Sequence, residues 1–159
     1  MLFVATAEAG DDEMRARIKK HQSSRPPGWR TLETPSNIGP AIRENSGDAG
    51  VIIVDCITLL VNNIFSRYTD QAGEMTDVPK IEAEVTGEID RFIECVSGLE
   101  AEFIIVTNEV GMDLVPANMM GRLYRDLLGK ANQQLAELAD EVYLMVAGLP
   151  MLIKPAARS

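Results

Sequence analysis

The sequence predicts an α/β sandwich with a mostly parallel sheet, on three observations. "VIIVDC" (51–56) is a continuous β-branched run ending in an acid, as expected of a strand covered on both faces. From Val78 to Leu99 the apolar residues Val78, Ile81, Val85, Ile89, Phe92, Ile93 and Val96 recur at spacings of three and four, which is a helix stripe. Strand-like and helix-like segments alternate along the chain, the order of β–α–β units.

The remaining elements follow in order. "LFVATA" (2–7) is a short apolar run before Gly10 and suits a buried strand. "DDEMRARIKKHQ" (11–22) opens with acids and closes with bases, matching the helix dipole at both ends. "RPPGW" (25–29) breaks that helix, and "WRTLE" (29–33) reads as a second strand. Residues 34–50 suggest a loop and a short helix closed by glycines. "EFIIVTNEVG" (102–111) is a strand running into a polar loop. Met120, Leu123, Tyr124, Leu127, Leu128, Ala131, Leu135 and Leu138 form a second long amphipathic stripe. "EVYLMVAG" (141–148) and "MLIK" (151–154) close the chain as strands, with Gly148 and Pro150 marking a turn. No repeat or linker divides the chain, so one domain over 1–159 is expected.

Composition narrows the function classes. The formal net charge is -9 and 46% of residues are hydrophobic, which supports a core and disfavours a nucleic-acid surface. Cys56 and Cys95 form no CxxC pair, as in a chain with reduced thiols and a cytoplasmic location. No apolar run is long enough for a membrane span, and the N-terminus lacks a basic n-region.

Against this acidic background, Arg15, Arg17, Lys19, Lys20, Arg25 and Arg30 occur with no Asp or Glu among them. They surround His21, the only histidine. Several cations suit a polyphosphate, and their field favours the neutral, nucleophilic ring. The plainer reading is a solvated helix end. Asp55, ending a hydrophobic strand, is placed as Mg²⁺-holding acids are, or simply caps a turn. Thr107, Asn108 and Glu109 follow a strand at the sheet end where ligands bind, or are ordinary turn residues. No G-x-x-x-x-G-K-[ST] occurs, and "GKA" (129–131) lies within a helix stripe.

Four blocks, "VATAEAGDDEMRARIKKHQSSRPPGWRTLE", "VIIVDCITLLVNN", "FIIVTNEVGMDLVP" and "RLYRDLLGKANQQLAELADEVYLMVAGLP", resemble in order the bifunctional adenosylcobinamide kinase / adenosylcobinamide-phosphate guanylyltransferase family. The resemblance implies a RecA-like P-loop NTPase-type three-layer sandwich, a nucleotide-binding domain and a homotrimer. It implies phosphorylation of adenosylcobinamide in cobalamin biosynthesis, then GMP transfer from GTP to adenosylcobinamide phosphate through a guanylylated histidine. By motif, that histidine is His21. The implied nucleotide contacts are Ala5, Thr6, Ala7, Gln22, Ser23, Ser24, Arg25, Glu33 and Asp55, with Asp55 also toward Mg²⁺. GTP and ATP are the implied nucleotide substrates. Family members begin with a strand, a glycine-rich P-loop and a helix, whereas residue 1 here corresponds to the second strand. An N-terminally truncated sandwich is therefore expected, with kinase activity weaker than guanylyl transfer. The alternative is a catalytically impaired nucleotide- or cobinamide-binding fragment or paralogue.

Overall fold

A computed structural model describes residues 1–23, 25–69 and 77–156. The elements are β1 (Leu2–Ala5), α1 (Asp12–Ser23), β2 (Arg30–Glu33), α2 (Ile38–Asn45), β3 (Val51–Asp55), α3 (Ile57–Arg67), α4 (Val78–Ser97), β4 (Glu102–Val106), α5 (Met119–Leu138), β5 (Val142–Val146) and β6 (Leu149–Lys154). β2, β1, β3 and β4 form, in that order, an all-parallel sheet, and β5 and β6 form a separate antiparallel hairpin. The mixed α/β fold with a helix-flanked parallel sheet is that of a P-loop NTPase-like protein, as the sequence predicts.

The register explains the core. Leu2 and Val4 lie beside Ile52 and Val54, which lie beside Phe103 and Ile105. These six share one face, since side chains alternate along a strand. They pack with Ile38 and Ile42 of α2, Leu60 and Ile64 of α3, Ile89 and Phe92 of α4, and Leu128 of α5. Both predicted helix stripes point into this layer.

The helix α3 was not legible as a separate element. Its Ile57, Leu60, Val61, Ile64 and Phe65 have helical spacing, but they follow the apolar strand directly. Cys56 at the N-cap makes no side-chain cap bond, so no start signal separates the two. The final strands also differ from the parallel pattern. Ala147 (φ 52°) and Gly148 (φ 79°) form a two-residue connection with positive φ at both positions, which dictates an antiparallel hairpin. Pro150 falls within β6, opposite Met145, and not in the turn itself.

Ends of elements are tied by side chains. Asp11 accepts from Met14 N at 2.7 Å, Asp77 from Lys80 N at 3.1 Å and Asn118 from Gly121 N at 2.6 Å, capping α1, α4 and α5. α2 is capped from elsewhere: the buried Glu88 of α4 accepts from Ile38 N at 2.7 Å and from Arg91 at 2.9 Å. Lys154 of β6 donates to the carbonyls of Ala136, Glu137 and Ala139, so the hairpin hangs from the C-terminal end of α5.

Gly39 lets α2 and α4 approach. A Cβ there would lie 2.5 Å from Arg91 O and 2.9 Å from Arg91 C, both backbone atoms. Gly39→Ala is expected to destabilise the fold by about 1–3 kcal/mol, read as a lower urea midpoint. An unchanged midpoint would show that the two helices separate freely.

Candidate functional site

Three strand ends build one edge of the site. Ala5 is paired with Glu33 on one side and Asp55 on the other. These three residues therefore form a row across adjacent strands at the carboxyl end of the sheet, where parallel α/β sheets bind ligands. Ala5 is buried, Asp55 half-buried and Glu33 exposed, so the two carboxylates flank a small, apolar position.

Thr6 fixes the row. It is fully buried; its hydroxyl donates to Cys56 O at 2.7 Å and accepts from Cys56 N at 2.9 Å. Its own N–H donates to Asp55 O at 3.1 Å. Asn63 of α3 donates to Thr6 O at 2.7 Å and to Pro35 O at 3.0 Å. Three loops, after β1, β2 and β3, are thus joined by two side chains. Thr6 is expected as a nucleotide contact; in the folded chain its hydroxyl bonds the backbone of Cys56. Asn63 was missed. The available signal was an amide among the apolar residues of "LLVNNIF".

α1 brings the histidine segment to this edge. Gln22 donates to the Glu33 carboxylate, so the last turn of α1, with the exposed His21, sits beside β2. Ala7 follows Thr6, half-buried, at the start of the loop into α1. Ser23 donates to Lys20 O at 2.9 Å. Ser24 lies outside the described residues.

The basic island divides. Arg15 pairs with Asp12 at 2.8 Å. Arg30 donates to Ser46 O and Asn45 O at the end of α2. The Arg25 guanidinium lies 4.2 Å from the Phe3 ring centroid and donates to Thr31, while Trp29 stacks on the same ring. Arg17, Lys19 and Lys20 remain exposed on α1 around His21. The field at the histidine is therefore carried by α1 itself.

The third predicted cluster sits at the end of β4. Thr107 donates to Asn132 Oδ1 at 2.7 Å, Asn132 donates to Asn108 O at 3.0 Å, and Asn108 N donates to Thr58 Oγ1 at 2.9 Å. Thr107 and Asn108 are held by α5 and α3, while the Glu109 carboxylate accepts from Gly111 N. Beyond them opens a cleft of about 530 Å³ lined by Glu109, Val110, Asp113, Pro116, Tyr124 and Arg125. Among the described residues no three His, Cys, Asp or Glu side chains cluster as a metal cage, and no helix is long and apolar enough to cross a membrane.

Burial pushes the Cys56 thiol up, and the nearby Asp55 charge adds to this against opposing hydrogen bonds at Leu59 and Thr58. Burial does the same to Cys95. The folded chain therefore favours the thiol form. That stabilisation is complete below the ordinary thiol range and is lost as pH rises through the higher folded values. Both cysteines should react with a disulfide reagent more slowly than free cysteine at pH 8, and rapidly in denaturant. Fast labelling of the native chain would contradict the burial.

Comparison with known proteins identifies the family. The family model for cobinamide kinase / cobinamide phosphate guanyltransferase (CobU) matches residues 1–153. The chain is 37% identical over 155 residues to the bifunctional adenosylcobalamin biosynthesis protein CobU of Escherichia coli strain K12, covering 97% of this chain and 86% of that protein. It is 38% identical to the protein of the same name from Salmonella typhimurium, over 97% of this chain and 86% of that one. It is 36% identical to the bifunctional adenosylcobalamin biosynthesis protein CobP of Pseudomonas aeruginosa, over 96% of this chain and 81% of that one. With its parallel sheet, its strand-end carboxylates and a match along nearly its whole length, the chain belongs to the cobinamide kinase / cobinamide phosphate guanyltransferase family.

Proposed function

We propose that this protein acts in cobalamin biosynthesis, phosphorylating adenosylcobinamide and transferring GMP from GTP to adenosylcobinamide phosphate, with His21 as the guanylyl acceptor. The hydrogen bond from Gln22 to Glu33 carries the reading. It sets the last turn of α1, and His21 with it, against the row of Glu33, Ala5 and Asp55.

An imidazole nitrogen attacks the α-phosphorus of GTP, forming an N–P bond as the bond to pyrophosphate breaks; the ring proton passes to solvent. The phosphate of the cobinamide substrate then attacks the same phosphorus and restores the imidazole. Arg17, Lys19 and Lys20 draw the triphosphate toward α1 and offset the charge on its oxygens. Glu33, Gln22 and Ser23 supply polar groups near His21 that can partner a nucleotide's hydroxyls or base edge. Arg25 shapes the segment through Phe3 and Thr31.

Asp55 suits Mg²⁺ in one respect: a single half-buried carboxylate at a strand end fits a metal held mainly by phosphates and water. Bound there, Mg²⁺ would neutralise nucleotide phosphate charge. ATP or GTP serves as phosphoryl donor, and the working form is a cytoplasmic homotrimer.

GTP labelled at the α-phosphate should label the full chain with an acid-labile, base-stable bond, and His21→Ala should reduce the label to background. Glu33→Gln should raise the GTP concentration needed for half-maximal labelling. Absence of label on the unsubstituted chain, or label persisting in His21→Ala, would reject His21 as acceptor.

A further inference from the structure

The cations of α1 do not stand alike around His21. Successive residues of an α-helix turn by about 100°. The half-buried Met14 and Ile18, at i, i+4, therefore mark the line along which α1 meets the rest of the chain. Gln22, which bonds Glu33 of β2, lies on one flank of that line, together with Arg15. His21 lies on the other flank. Arg17 stands one turn before it on that same flank, with Cβ atoms about 5–6 Å apart. The same rotation sets Lys19 beyond Gln22 and Lys20 nearly opposite the Met14–Ile18 line, both turned away from the imidazole.

Their partners differ as well. Arg15 is paired with Asp12, Arg25 lies over Phe3, and Arg30 donates to the end of α2. Among the described residues Arg17 has no ion pair, although Glu13 sits one turn before it. Arg17 and His21 are both exposed. A guanidinium without a carboxylate partner thus stands within reach of anything the imidazole carries.

We propose that Arg17 is a catalytic residue of guanylyl transfer, holding the non-bridging oxygens of the phosphoryl group on His21, while Lys19 and Lys20 act on the nucleotide only through their long-range field. This rests on the reading of His21 as the acceptor. In the first step an imidazole nitrogen bonds the α-phosphorus, the bond to pyrophosphate breaks, and the ring proton leaves to solvent. Arg17 keeps its proton and donates N–H bonds to the two oxygens whose charge rises as phosphorus becomes five-coordinate. In the second step a phosphate oxygen of the cobinamide substrate displaces the imidazole, which takes a proton back from solvent, and the same two bonds serve again. The planar fork of an arginine matches two phosphoryl oxygens at once, which a lysine ammonium does not.

Two measurements test this. In the first, single-turnover labelling of the full chain by GTP labelled at the α-phosphate is timed at saturating GTP. Arg17→Ala should slow labelling about a hundredfold, the scale of losing one preplaced donor to developing charge. Arg17→Lys should recover part of that loss. Lys20→Ala should cost far less, and its cost should fade at high salt while the Arg17→Ala loss persists. Helical circular dichroism should not change, because alanine and lysine are good helix formers.

The second measurement needs no GTP. Potassium phosphoramidate transfers its phosphoryl group to an imidazole with release of ammonia, and His21 is the only histidine. The phosphorus resonance of the phosphorylated chain is then followed against pH. A guanidinium against the phosphoryl oxygens favours their more charged form. The phosphoryl group should therefore titrate at lower pH in the unsubstituted chain than in Arg17→Ala, with Lys20→Ala close to the unsubstituted chain. Glu33 and Arg25 are the same in every variant. Equal labelling rates for Arg17→Ala and the unsubstituted chain, an equal loss in Lys20→Ala, or a phosphoryl titration indifferent to Arg17→Ala would overturn the proposal. No label on the unsubstituted chain would instead reject the guanylyl-transfer reading, and the phosphorus titration would then decide the contact of Arg17 by itself.

Discussion

The site depends on one buried hydroxyl. Thr6 replaces two ladder partners where the parallel strands diverge, giving and receiving a hydrogen bond with the Cys56 backbone. Backbone groups taken out of water cost several kcal/mol when unpaired, so the strand ends are held in one arrangement. Asn63 extends the restraint to Pro35, beyond β2. Strand register lines up Glu33, Ala5 and Asp55, and these two side chains pin the loops just beyond that row. Under the proposed function, a nucleotide meeting that edge would find carboxylates already placed, leaving little ordering for binding to supply.

The histidine side is built differently. α1 is capped by Asp11, buries none of its residues, and is tied to β2 by the bond from Gln22 to Glu33. The group that would bond to phosphorus thus rides on a lightly held helix, and the groups that would receive the nucleotide sit on a rigid edge. This division suits a two-stage transfer, in which the acceptor must serve first one substrate and then another.

Much of the fold was legible because its signals are local. The β-branched run of β3, the stripes of α4 and α5 and the charge polarity of α1 all report burial or dipoles within a few residues. What escaped was set by distant partners. α3 has no cap of its own to announce it, and α2 takes its cap from Glu88, fifty residues away. At the site, the sequence identified residue types and the structure shows which elements hold them. Asp55 and Glu33 stand where strand-end carboxylates should. Arg25 and Arg30, read from the sequence as part of a phosphate-binding island, are engaged in the folded chain by Phe3 and by the end of α2. Asn63 was hidden because its partners are backbone carbonyls, which leave no trace in composition.

The contact between α2 and α4 also constrains how the family can vary. Gly39 touches the backbone of Arg91, and Glu88 both caps α2 and bonds Arg91. A side chain at 39 forces the helices apart, which lengthens the bond from Glu88 to Ile38. Drift at these positions is therefore coupled. Lineages that acquire a larger residue at 39 should also replace the acid at 88 and supply α2 with a local cap at 37.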